Sequence, residues 1–412
     1  MSNSLVSTQN RVESPFIIAQ IGKYTFGNVS KQNLGGSYKV TYPNYMESLN
    51  IVKINGTVNT YTLVMVYAIA SGDDPNLLEK VFSSVAKDRT IILKYGDWNV
   101  PTYIYKEEKA IITNIATNVD LKASKIQYTL KCTSTSLALK SGKFNFGART
   151  AKPSDVIKEL LKDESKGLLE IFPGMKNAAS AAFDGFIDST DKEVHIGAKS
   201  SISILDYIGY LVGCMVNVND SSDALKQYNY FWSVYDDISN AYGGSYFKVI
   251  SVQANAQYNV SYNTYEVNVG YPTSEYVESF TINNNESWSM LYDYSEKLSL
   301  PSVTHSIDDY GNIVEVNSPN ITTSASTLTT TETSRSWWSK MTQFPITAKL
   351  VIKGLLRPAL LMSYVKVNAY FYGSKHVSSG LYIITKQEDS ISSNGYRTTL
   401  SLTRISGDTN YV

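Results

Sequence analysis

The sequence predicts a β-rich α+β protein, and three observations carry that expectation. Apolar and polar residues alternate with a period of two in many runs along the 412 residues, the spacing that turns one strand face to a core and the other to water. A helical period replaces it in three stretches, near residues 74–89, 152–164 and 200–215. Tyrosine is the outlier of the composition, with 31 copies against 13 Phe and 5 Trp. Its large apolar body and polar tip suit half-buried sheets and partly wet interfaces.

The elements follow in order. Residues 1–14 are polar and are expected to be a flexible start. Asn55-Gly56 between two β-rich runs is a strong hairpin signal. After it, Tyr61, Leu63, Met65 and Tyr67 share one strand face. In "SGDDPNLLEKVFSSVAKDR" Asp74 suits a helix N-cap and Pro75 the first helical position. Leu77, Leu78, Val81, Phe82 and Val85 then form an apolar stripe, and Lys87 and Arg89 close it at the end that favours cations. Strands are expected at "TIILKYG", with a turn at Gly96-Asp97, at "KAIITNIA" and at "KIQYTLKC". A helix over "KPSDVIKELLKDE" buries Val156, Ile157, Leu160 and Leu161. Another, capped by Ser201 or Ser203, buries Ile204, Leu205, Ile208, Leu211 and Val212. "QYNYFWSVYD" and "SYFKVISV" return to strands. Residues 318–336 are Ser/Thr-rich and bury too little to offset their own ordering entropy, so they read as a linker or an exposed loop. The division is therefore 1–14, a strand-rich unit with one helix at 15–147, a middle region at 148–336, and closing strands at 337–412. No internal repeat aligns between residues 15–140 and 337–408.

Charge and cysteine usage narrow the function. Lys and Arg number 37 and Asp and Glu 37, so the whole-chain balance attracts neither nucleic acid nor an anionic membrane. Cys132 and Cys214 lie far apart in apolar contexts and read as two buried free thiols. The start lacks the basic flank and apolar core of a signal peptide, and no run is long enough to span a bilayer. His195, His305 and His376 each sit among apolar residues, as strand histidines do, and share no metal-ligand spacing. The acidic pairs Asp73/Asp74, Asp236/Asp237 and Asp308/Asp309 are adjacent, and adjacent acids point apart on most backbones. No catalytic, metal or cofactor site is expected.

Two features suit interfaces. Trp337-Trp338 follows the polar linker and reads first as a core anchor and second as a partner-binding anchor. The closing run "GLYIITKQEDSISSNGYRTTLSLTRISGD" reads as a hairpin turning at 392–395. Tyr396, Thr398, Leu400 and Leu402 face the core, while Arg397, Thr399, Ser401 and Thr403 form a polar face suited to a channel wall or a subunit seam.

In order and spacing, "TYPNYMESLNIVKINGTVNTYTLVMVY", "DPNLLEKVFSSV", "ILKYGD", "AIITNI" and "IQYTLKCTS" resemble the N-terminal tube-like domain of bacteriophage tail baseplate hub proteins. "KPSDVIKELLKD", "ISILDYIGYLVGCM", "VGYPTSEYVESFTINNNESWSMLYDY", "SSGLYIIT" and "GYRTTLSLTRISGD" resemble later segments of the same family. The resemblance implies two tube-like β domains with helical and loop insertions between them. It implies a homotrimeric, pseudo-sixfold ring in the virion of a contractile injection system, assembled in the host cytoplasm. The implied partners are the sixfold tail tube, a threefold spike or tip protein, baseplate wedge or tape-measure proteins, and DNA in transit. A lumen wall should then be polar and not strongly cationic, because tight phosphate binding would stall passage. An adhesin or carbohydrate-binding protein, and then a cell-wall hydrolase using Asp236 or Glu286, rank below the hub reading.

Overall fold

The computed structural model describes residues 15–28, 42–68, 76–84, 88–97, 106–216, 228–238, 240–253, 263–269, 277–284, 304–307, 313–317, 344, 346–353 and 361–407. Trp337, Trp338, the 318–336 stretch, the Asp74-Pro75 cap, Asp308/Asp309 and Glu286 lie outside them.

Strands come first: β1 (Pro15–Ile21), β2 (Tyr24–Gly27), β3 (Met46–Ile54), β4 (Thr60–Ala68), β5 (Thr90–Asp97), β6 (Lys106–Asp120) and β7 (Lys125–Ser134), with α1 (Leu77–Ser84) before β5. The middle holds β8 (Phe144–Phe146), β9 (Arg149–Ala151), α2 (Pro153–Lys162), β10 (Val194–Ile196), β11 (Lys199–Ile202), α3 (Ile204–Cys214), β12 (Tyr228–Tyr235) and β13 (Tyr246–Gln253). Then follow β14 (Asn263–Val269), β15 (Val277–Asn284), β16 (Thr304–Ile307), β17 (Ile313–Asn317), β18 (Ile346–Ile352), β19 (Tyr364–Phe371), β20 (Ser374–Lys375), β21 (Gly380–Ser392) and β22 (Gly395–Gly407). The β-rich α+β expectation holds.

Local chemistry explains most boundaries. Gly56, at φ +77°, makes the turn between β3 and β4. Tyr61, Leu63, Met65 and Tyr67 are buried as their parity requires. Ser203 is the cap of α3, its side chain accepting from the Asp206 N–H. The expected turn at Gly96-Asp97 is instead the end of β5, because both residues pair with β1, Gly96 with Phe16 and Asp97 with Pro15. His376 lies in a turn after β20, stacked on Phe371 at 4.0 Å, and Cys214 is half-buried where burial was expected.

Among the described residues fourteen strands form one sheet, and eight successive strands at one end of its order, β15 to β6, contain a duplication. β3, β4, β6 and β7 lie in the order β3-β4-β7-β6, and β15, β18, β21 and β22 in the order β15-β18-β22-β21. Counted along the chain, both units are first-second-fourth-third. The irregularities match as well. The first strand of each unit shifts register between Met46 and Ser48, and between Val277 and Ser279. The third strand shifts between Ile112 and Asn114, and between Ile384 and Lys386, while β21 carries a further shift between Leu381 and Tyr382 that β6 lacks. Bulges are built features that fix register, so their recurrence at matched places is specific. Aligned by register, Glu47-Ser48-Leu49-Asn50-Ile51 falls on Glu278-Ser279-Phe280-Thr281-Ile282, and Ile111-Ile112-Thr113 on Ile383-Ile384-Thr385. Leu63-Val64 falls on Leu350-Val351, and Thr129-Leu130 on Thr399-Leu400. This corrects the sequence reading that no repeat aligns. Loops of different length change the offset from strand to strand, and the first strand of the second unit comes from residues 277–284, upstream of the closing strands.

The two repeats join edge to edge. The later half of β21 pairs with β3 from Lys386–Ile54 to Ser392–Ser48, and one core runs beneath both units. Residues of the middle region, from Leu139 to Val249, form a second core of their own.

Candidate subunit interface

Three parts of this sheet bear on function: its polar face, its internal seam and its open edges. On the polar face, Arg397 is exposed and Thr399, Ser401 and Thr403 are half-buried, while Tyr396, Thr398, Leu400 and Leu402 are buried in the core. The hairpin turns between Ser392 and Gly395, as its Ser-Ser-Asn-Gly chemistry requires. The face continues across the first repeat through Asn50, Thr60, Thr62, Thr129, Lys131 and Asn114, in register across its strands. Several of its charges are neutralised locally. Arg397 makes a two-pronged ion pair with Glu278, at 2.6 and 3.1 Å, and Lys386 meets Glu388 at 2.7 Å. In the first repeat Gln127, matched to Arg397, donates to Glu47, matched to Glu278, at 3.1 Å.

The seam between the repeats conceals a charged cluster. Leu49, Ile51 and Lys53 of β3 point inward, as do Gln387, Asp389 and Ile391 of β21. Lys53 donates to Glu108, which is fully buried and also accepts from Tyr61 at 2.6 Å and Tyr95 at 2.8 Å. Tyr61 Oη lies 3.2 Å from a second buried acid, Asp236. Asp236 accepts from Asn59 at 2.7 Å and Ser134 at 2.6 Å. It follows β12, so the middle region docks on the first repeat through this side chain. Backbone bonds from Gly56 to Trp232 and from Ile238 to Glu107, and the Lys106–Asp237 ion pair at 2.6 Å, complete that contact. Asp389 accepts from Thr398 and Gln387, both at 2.6 Å.

Electrostatics follow from this geometry. Burial lifts Asp236 to about 6; its hydrogen bond from Ser134 opposes the rise and the nearby Glu108 carboxylate adds to it. Burial likewise raises Asp389, against its bonds from Thr398 and Gln387 and the attraction of Lys53. Burial pulls Lys53 down, but Glu108, Asp389 and Asp236 together hold it above its ordinary value. The sequence signal for this cluster was parity. Lys53 continues the inward series of Leu49 and Ile51, and Glu108 precedes Ala110 and Ile112. Asp236 and Asp237 do point apart, one into the cluster and one to Lys106. Among the described residues no three His, Cys, Asp or Glu are grouped to hold a metal ion.

The open edges belong to β6 and β15. β5 pairs β6 only from Lys106 to Ile111, and beyond Ile112 no described strand covers its outer side. That stretch is exposed, with Val119 at 53% and Leu121, at the hairpin tip, at 85%. Among the described residues β15 pairs β18 on one side only, and its Phe280 and Ile282 are half-buried where the matched Leu49 and Ile51 are fully buried. In the same way β19 pairs β21 only from Gly380 to Ile383, and there β3 takes up the rest. The edge of β6 is therefore the counterpart of an edge that is already filled within the chain.

The fold is a pair of four-stranded antiparallel repeats, joined edge to edge, with a separately cored insertion. The same fold occurs in the 43 kDa tail protein of prophage MuSo2 from Shewanella oneidensis, at a TM-score of 0.50 and 9% identity, over 96% of this chain and 100% of that one. A tail protein from Neisseria meningitidis MC58 follows at 0.47 and 10%, over 95% and 97% of the two chains. The E. coli c3393 protein, described as a type VI secretion component similar in structure to T4 tail proteins gp27 and gp5, gives 0.45 and 8%, over 88% and 74%. The likeness of fold rests on the first of these. No protein-family model and no curated protein matches the chain.

Proposed function

We propose that this protein is a structural component of a phage or phage-like tail, a baseplate or tail-tip hub that closes into a homotrimeric ring. One observation carries the reading: the chain contains one filled repeat-to-repeat seam, β21 on β3, and among the described residues leaves open the two edges that would make the same seam again, β6 and β15. Such a head-to-tail contact between copies generates a closed ring when its rotation closes. Three chains then present six matched four-stranded units. A sixfold tail tube meets one rim of that ring, a threefold spike or tip protein the other, and DNA passes along the polar face. The balanced charges around Arg397 and Lys386 suit such a wall. Arg397, Thr399, Ser401 and Thr403 are its lining in this reading. The place of action is the virion tail, and no enzymatic step is required of it. Among the described residues no helix is long and apolar enough to cross a membrane. Native mass spectrometry and negative-stain images of the purified protein test this. Three chains and a ring with threefold symmetry are expected; a single chain at every concentration would overturn it.

A further inference from the structure

The two seams of such a ring are alike in backbone and unlike in charge, and this difference, which rests on the ring reading, has a role. Within the chain, Lys53 lies opposite Gln387 and two residues from Ile51, which faces Asp389. By register the open edges carry Asn284 in place of Lys53, Ile115 in place of Gln387 and Thr117 in place of Asp389. The filled seam thus holds a mostly buried lysine and a fully buried carboxylate, and the open edges bring neither at the matched positions.

The matched strands allow four pairings of these edges. A third strand, β21 or β6, can meet a first strand, β3 or β15. Correct assembly uses only β21 with β3, and β6 with the β15 of the next copy. Residues 135–276 separate the two repeats along the chain, so connectivity alone does not dictate which edges pair. Charge distinguishes the pairings. β6 on β3 would set Lys53 beside Thr117 and Ile115 with Glu108 of its own repeat as its carboxylate, without Asp389. β21 on β15 would bury Asp389 without Lys53. Asp389 is fully buried, and removing one member of a buried charged set is strongly unfavourable.

We propose that Lys53 and Asp389 select the pairing, so that each chain joins its own repeats across the charged seam and meets its neighbour only across the uncharged one. The test gives the filled seam the residues of the open one. K53N/D389T and the wild type are compared by native mass spectrometry, with circular dichroism confirming the fold. The wild type gives one three-chain species. The variant is expected to spread over several sizes, the three-chain species falling about twofold or more. A variant that remains a single three-chain species overturns the proposal. A wild type that is not three chains overturns the ring reading instead. If K53N/D389T fails to fold, T117D/N284K gives the open edges the residue types of the charged seam. It is expected to spread in the same way, and a single three-chain species there also overturns the proposal.

Discussion

Thr113 and Thr385 occupy one position in two repeats. Each stands at the bulge of a third strand, and each hydroxyl donates to the carbonyl across the bulge, Thr113 to Lys131 at 2.9 Å and Thr385 to Ser401 at 3.2 Å. A bulge leaves one residue without its ladder partner, and the hydroxyl fills the gap on the facing strand.

Replacing these threonines by valine keeps the shape and removes the bond. T385V, half-buried, is expected to cost about 1 kcal/mol, and T113V, exposed, less. Because the sites lie in separate repeats, the double variant should show the sum of the two, read from urea unfolding midpoints.

Val119 tests the open edge of β6. V119K puts a charge where the matched Ile391 is buried against Leu49. Association should be lost, read as chain mass by light scattering. At dilutions where both proteins are single chains, the stability difference should stay below about 0.5 kcal/mol.

The two faces of β22 predict opposite sensitivities. L400A opens a cavity at a fully buried site and is expected to cost about 2–5 kcal/mol in chemical denaturation. R397A removes an exposed guanidinium three residues away, and the unfolding midpoint should stay where it was.

Acid should stabilise the docking of the middle region. Asp236 has a folded value near 6 against an ordinary 3.8. Its contribution is whole below pH 4, where both folded and unfolded chains hold the proton, and is lost as pH rises through 6. The difference is on the order of 2 to 3 kcal/mol for a group this buried. Asp88 and Asp163 run the other way: hydrogen bonds hold them low, so their contribution fades only as pH falls below about 4. The thermal midpoint should therefore rise from pH 8 to pH 5. D236N should flatten that rise, and D236N/D389N should flatten it further.

Parity made much of the sheet legible in the sequence. Leu63, Met65 and Tyr67, or Leu400 and Leu402, mark their inward face by alternation alone, and the Ser203 cap marks where α3 begins. The cluster at the seam was hidden because its members come from distant segments. Asp236 looks like half of an acidic pair until the fold sets it beside Tyr61, whose neighbours in sequence give no sign of it. The duplication was hidden because short matches such as Ile-Ile-Thr recur without a constant offset. Gly96-Asp97 looked like a turn because glycine beside aspartate usually is one; only the pairing with Phe16 and Pro15 makes it strand.

Fusing two copies in one polypeptide also has a consequence for divergence. Identical subunits must carry every loop at every position. Here the first copy connects its opening strands through residues 55–59 and follows its fourth strand with the separately cored insertion, while the second spaces its opening strands with residues 285–345. Each copy is free to accumulate its own decorations, provided the bulges and the pairing edges stay the same. Selection on such a gene acts on two halves with different surfaces and one shared grammar of strand contacts.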